Sequence, residues 1–162
     1  MPLLQPGDTF PPLTLGIPGA QAIQVPGWLA GEFGVVLFNR GAWCPYCTAQ
    51  LRAFQRAGES LARAGVREAA LWVDDAKTTA EFTARHGITF PLGHSADARV
   101  VAGLTGAFVN EDPLYLQSTG FVLDPQGKVI VSVYSSGAIG RLVPEDVTGL
   151  VGYLREHAAA SS

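Results

Sequence analysis

The run Val35-Val36-Leu37-Phe38 is the feature that most constrains this chain. Four consecutive apolar residues leave no polar face, so the segment suits a central strand covered on both sides. After a short connection the period changes. Leu51, Phe54 and Leu61, with Gln, Arg and Glu residues between them, have the spacing of one apolar helix face. Pro45 stands where such a helix should start, because the first turn leaves an N–H unpaired and proline has none to lose. The pattern predicts one helix from Pro45 to about Ala64, stopped by Gly65.

The alternation then repeats, with an apolar strand at Ala69–Val73, a helix from about Lys77 to His86 stopped by Gly87, and a short helix near Ala96–Leu104. Phe121-Val122-Leu123 and Val129–Val133 flank Asp124-Pro125-Gln126-Gly127, a strong turn signal, which makes them an antiparallel pair. Pro144-Glu145-Asp146 opens a last helix whose apolar face is Val147, Leu150, Val151 and Leu154. Ahead of all this, a Pro- and Gly-rich lead-in carries two short apolar stretches, Leu13–Ile17 and Ala22–Val25, that read as edge strands or a hairpin. The expected fold class is α/β, a central mixed sheet with helices on both faces.

With 162 residues, 48% of them hydrophobic and 15% charged, the chain is expected to form a single domain over residues 1–162. Its 11 basic and 14 acidic residues give a net charge of -3, which speaks against nucleic acid as a partner. The longest apolar stretches fall far short of the roughly 20 residues of a membrane span. Met1–Gly7 lacks the basic segment and apolar run of a secretory leader, so a cytoplasmic location is expected.

The only cysteines sit in Cys44-Pro45-Tyr46-Cys47, after the central strand and at the helix start. A helix N-terminus offers partial positive charge and unpaired N–H groups, so a thiolate there is stabilised. Cys44 is the candidate nucleophile. Cys47, one turn on along the same face, is the candidate resolving thiol, within reach for a disulfide. Two alternatives stand beside this: an accidental pair of buried thiols, and half of a zinc site whose other ligands would have to come from the scattered His86, His94 and His157. Neither a metal nor a cofactor is expected.

The segment Trp43-Cys44-Pro45-Tyr46-Cys47 resembles the active site of the thioredoxin superfamily. Pro6-Gly7-Asp8-Thr9-Phe10-Pro11, Ile88-Thr89-Phe90-Pro91-Leu92 and Gly140-Arg141-Leu142-Val143 are similar to segments of its peroxiredoxin and alkyl hydroperoxide reductase (AhpC/TSA) branch. The resemblance covers nearly the whole chain and implies a thioredoxin-like fold. It also departs from the branch's pattern. Leu37 and Gly41 stand where the signature before the nucleophile has Pro and Thr, and Gln117-Ser118-Thr119-Gly120 stands where the branch has its distal arginine. The cis-proline that thioredoxins place in that region is missing too.

The resemblance implies a thiol-dependent peroxidase. Cys44 would reduce hydrogen peroxide or an organic hydroperoxide, Cys47 would close a redox-active disulfide with it, and a thioredoxin-like or other thiol donor would reset the pair. A general thiol-disulfide oxidoreductase is the runner-up, and a redox-sensing module the third reading. Among supporting residues, Arg40 is the cation nearest in sequence, able to lower the Cys44 pKa and polarise peroxide, or else to form an ordinary surface ion pair. Arg141 either reaches the site or ties down a loop, and the loop reading is preferred. Trp43 and Tyr46 are candidate contacts for substrate or partner. A homodimer is a further expectation.

Overall fold

The computed structural model describes residues 2–161 and the side chains of 2–158. Its centre is β3 (Phe33–Phe38), the apolar run extended by two residues. It lies in a five-stranded sheet beside β4 (Val66–Leu71) on one side and β8 (Thr119–Leu123) on the other, with β5 (Leu92–Gly93) and β9 (Val129–Tyr134) at the edges, in the order β5-β4-β3-β8-β9. β3, β4 and β5 run parallel, while β8 is antiparallel to both β3 and β9. The mixed sheet expected from the sequence is therefore present.

Alternation along β3 divides the core in two. Val35 and Leu37 face a layer with Leu51, Phe54, Leu61, Phe82, Val147 and Val151. These come from α1 (Pro45–Arg56), α2 (Gly58–Arg63), α3 (Ala76–His86) and α5 (Pro144–Ser161). Val36 and Phe38 face Phe10, Leu13, Val25, Val101 and Phe121. That second layer holds α4 (Ala98–Thr105) and the antiparallel pair β1 (Leu13–Leu15) and β2 (Ile23–Val25). Helices thus cover both faces, and each large side chain buried between them contributes about 1.5–3 kcal/mol.

Two boundaries and one additional hairpin depart most from expectation. The single helix Pro45–Ala64 is broken at Ala57, whose ψ of 4° leaves the helical range next to Gly58, the weakest helix former there other than proline. β4 begins at Val66 and not Ala69, because its register with β3 runs from Phe33↔Val66 to Phe38↔Leu71 and carries Arg67 and Glu68 into the strand. The hairpin of β6 (Val109–Glu111) and β7 (Leu114–Leu116) is not among the expected elements. Other punctuation falls as expected. Gly87 ends α3 at φ 65°, a left-handed conformation open to glycine at little cost. The Asp124 carboxylate accepts from Gln126 and Lys128 N–H at 2.8 and 3.0 Å, which fixes the β8–β9 turn. Among the described residues no helix is long and apolar enough to cross a membrane.

Candidate active site

The connection from β3 into α1 delivers both cysteines. Pro45 occupies the first turn, and Cys44 is the N-cap, its sulphur accepting from the Cys47 N–H at 3.4 Å. The connection is held by Asp74, after β4, whose carboxylate accepts from the Ala42 N–H at 2.8 Å. Both thiols are free and fully buried.

Two arginines converge on them. The Arg40 guanidinium donates to Cys44 Sγ at 3.7 Å, to the Tyr115 hydroxyl at 3.0 Å and to Gln117 Oε1 at 3.0 Å. Its backbone N–H reaches Cys47 Sγ at 3.2 Å. Arg141 corrects the sequence reading that preferred a loop tie. Its Nε does tie the loop, donating to the Ala138 carbonyl at 2.6 Å. Its Nη2, however, lies 3.2 Å from Cys47 Sγ and 3.8 Å from Cys44 Sγ. The chain between β9 and α5 passes over the start of α1, where the Leu142 carbonyl accepts from Gln50 Nε2 at 3.0 Å. That contact brings Arg141 to the sulphurs from 97 residues away, a separation no local pattern reveals.

The two thiols differ electrostatically. Burial pushes Cys44 up, but hydrogen bonds from the Cys47 thiol and N–H, the bond from Arg40 and the charge of Arg141 outweigh it, leaving its pKa below the ordinary thiol value. At Cys47 burial dominates and raises the pKa, although Arg141 lies closer to it and the backbone donors of Gly41 and Arg40 oppose the shift. Of the two thiols, Cys44 is thus the one whose surroundings favour the thiolate.

Aromatic side chains close the site. Trp43 packs edge-on against Tyr115 with ring centroids 5.0 Å apart, and Arg40 Cζ lies 5.0 Å from one ring centre and 5.2 Å from the other. Trp43 is 56% exposed and Tyr46 53%, so both present surface beside buried sulphurs. Tyr46 also borders a small apolar cavity of about 220 Å³ with Ala53, Leu142 and Val143.

The sequence reading missed Tyr115, Gln117 and Gln50. Tyr115 lies in β7, where nothing local signals a site, and Gln117 opens the segment that the resemblance marked only by its missing arginine and proline. Gln50 had a usable signal, a polar residue one turn beyond Cys47 on the same helix face, and it is buried. The structure also accounts for the two departures from the peroxiredoxin signature. Leu37 sits mid-strand between Ala70 and Gly120, where proline would strip a donor from a strand paired on both edges. A Cβ at Gly41 would lie 2.2 Å from Trp43 Nε1, so the indole fills the place a larger residue would need.

Comparison with known proteins gives a consistent result. The AhpC/TSA family matches residues 6–132. A Mycobacterium tuberculosis (strain H37Rv) protein named as a candidate peroxiredoxin is 30% identical over 146 residues, covering 86% of this chain and 90% of its own. A peroxiredoxin of Treponema denticola is 28% identical over 153 residues, 91% of this chain and 71% of that protein. Among solved structures, the peroxidoxin BcpB of Mycobacterium tuberculosis superposes with a TM-score of 0.78 at 19% identity, over 93% of this chain and 97% of that one. AhpC of Mycobacterium bovis gives 0.76 at 21% identity, over 96% and 94%. Both structures share the thioredoxin-like fold.

Proposed function

We propose that this chain, which belongs to the AhpC/TSA family and is a peroxiredoxin-like thiol peroxidase, attacks its peroxide through Cys44 and resolves the product through Cys47. The observation that carries the assignment is Cys44 Sγ, buried and yet within 3.7 and 3.8 Å of two guanidinium groups. Such a site suits a small polar oxidant that slips past the Trp43–Tyr115 cover, and those donors are placed to stabilise charge on a departing oxygen.

In the first step the Cys44 thiolate attacks one peroxide oxygen. The S–O bond forms, the O–O bond breaks, and the other oxygen leaves as hydroxide or alkoxide and takes up a proton. Cys44 is now a sulfenic acid. Cys47 then attacks that sulphur and expels the hydroxyl, which leaves as water, so the pair has given two electrons to the peroxide and become a disulfide. Hydrogen peroxide and organic hydroperoxides are the substrate class. An external dithiol donor of thioredoxin type exchanges with the disulfide and restores both thiols, and a reducing compartment such as the cytoplasm suits this cycle.

A general disulfide reductase must lay an extended substrate strand beside its nucleophile. Here Gln117–Gly120 offers no proline platform, and Cys44 is fully buried beside an Arg40 that is itself packed against Trp43 and Tyr115. The test mixes reduced protein rapidly with hydrogen peroxide and with cumene hydroperoxide, following tryptophan fluorescence, and runs insulin reduction in parallel. Oxidation much faster than free cysteine at equal thiolate fraction, with poor insulin reduction, is expected. No acceleration together with efficient insulin reduction gives the site to the disulfide-exchange reading.

A further inference from the structure

Beneath the two sulphurs lies a polar network that neither cysteine chemistry nor the arginines themselves account for. Gln50 projects from α1 into the core and is buried. Its Oε1 accepts from Arg141 Nη1 at 2.7 Å and from Asn39 Nδ2 at 3.2 Å, while its Nε2 donates to the Leu142 carbonyl at 3.0 Å. The amide orientation is thereby fixed, because only the oxygen can take two donors and only the nitrogen can serve the carbonyl. Asn39 is fully buried at the end of β3, and its own Oδ1 has no partner. A desolvated acceptor without a donor is costly, and buried polar groups kept at such cost are expected to serve a purpose.

The geometry of Arg141 supplies one. A long, rotamer-rich arginine at the mouth of a loop has many conformers, and only a few set Nη2 between two sulphurs. The Ala138 carbonyl holds Nε, and Gln50 holds Nη1, so two bonds on separate nitrogens define the guanidinium plane and leave Nη2 aimed at Cys47 and Cys44. Resting on the peroxidase reading above, we propose that Gln50, braced by Asn39, is a positioning residue that fixes Arg141 between the two sulphurs. It touches no reacting atom. It acts through Arg141 by holding one cation where it serves the attacking thiolate first and the resolving thiolate second.

Among the described residues, two cations reach the sulphurs. Arg40 from the β3–α1 connection and Arg141 from the approach to α5 donate to them, Tyr115 from β7 accepts from Arg40, and Asp74 is engaged by the Ala42 N–H. Loss of the Arg141 anchor therefore removes one of two cations, and the thiolate pH profile reads that loss directly.

The experiment measures the pH midpoint of Cys44 alkylation by iodoacetamide, and the rate of oxidation by hydrogen peroxide, for wild type, Gln50→Leu and Gln55→Leu. Gln55 lies on the same helix and makes two hydrogen bonds to Thr89 away from the site, so it controls for a merely structural amide. Gln50→Leu should raise the midpoint by about one pH unit and slow oxidation several-fold near neutral pH, with Gln55→Leu unchanged in midpoint. In an Arg141→Ala background, Gln50→Leu should add no further shift. Gln50→Met, of similar length and apolar, and Asn39→Ala, which removes only the brace, give the same readout should the leucine variant not fold. An unchanged midpoint, or a shift that persists in full without Arg141, overturns the proposal. Failure of the peroxidase reading would look different, as wild type that alkylates with a low midpoint but shows no peroxide acceleration.

Discussion

Glu68 should make the stability of this protein fall as pH rises. It lies on β4 with its side chain beneath α2, and its Oε2 is shielded from solvent without a hydrogen-bond partner. Burial raises its pKa from the ordinary 4.5 to about 7. The folded state therefore binds the proton more tightly than the unfolded chain does. Below about pH 4.5 the carboxyl is neutral in both states and costs nothing. Between about 4.5 and 7 the unfolded chain ionises first and stability drains away, and above 7 the loss is complete. A shift of that size corresponds to at most about 3 kcal/mol, and the partial solvent access of Glu68 screens it to about 2 kcal/mol. Glu68→Gln keeps the shape and removes the ionisation. At about pH 8 it should gain about 2 kcal/mol, or roughly 4–8 °C in Tm for a chain of this length, and at about pH 4.5 almost nothing. Thermal or urea unfolding at several pH values measures the difference. A gain that is equal at both ends of the range would refute the reasoning, since it would come from packing or helix propensity and not from the proton.

Other expectations follow from the site. In Cys47→Ser the resolving thiol is gone, so oxidant should leave Cys44 as a sulfenic acid trappable with dimedone, advancing to sulfinic acid in excess peroxide; normal turnover with a thiol donor would show that the intramolecular disulfide is not on the path. Gly41→Thr places a Cβ 2.2 Å from Trp43 Nε1 and must eject the indole from its place near Tyr115. A shift in tryptophan emission and a loss of about 1–3 kcal/mol are expected, and an unchanged spectrum would mean that Trp43 does not depend on the glycine.

The sheet and most helices were legible because their signals are local. Val35–Phe38 could be read as a buried strand from four letters, and the caps of α3 and the β8–β9 turn sit in Gly87 and Asp124. What escaped depends on distant partners. Arg67 and Glu68 hide the start of β4, which only its register with β3 reveals. The break at Ala57 follows no hydrophobic period, since Phe54 and Leu61 are buried on either side of it. At the site, Arg40 could be picked out because it precedes Cys44 by four residues. Arg141, Tyr115 and Gln117 are set by tertiary contacts 75 to 97 residues long, and for Arg141 a local view favoured the blander reading.

That contrast in sequence distance has a consequence for how the site comes apart. Arg40 belongs to the same strand-to-helix unit as Cys44, whereas Arg141 is attached to the rest through the approach to the C-terminal helix. Proteins open in cooperative pieces, and loops and fraying termini are the least stable of them. Were the segment between β9 and α5 to open, breaking the bonds from Arg141 to Gln50 and the Ala138 carbonyl, Cys44 would retain Arg40 while both thiols would lose the cation they share. In the proposed cycle, such a chain would still be oxidised at Cys44 yet would close its disulfide less readily, leaving the sulfenic acid open to over-oxidation. In that cycle the segment before the last helix would act as a safeguard on the chemistry.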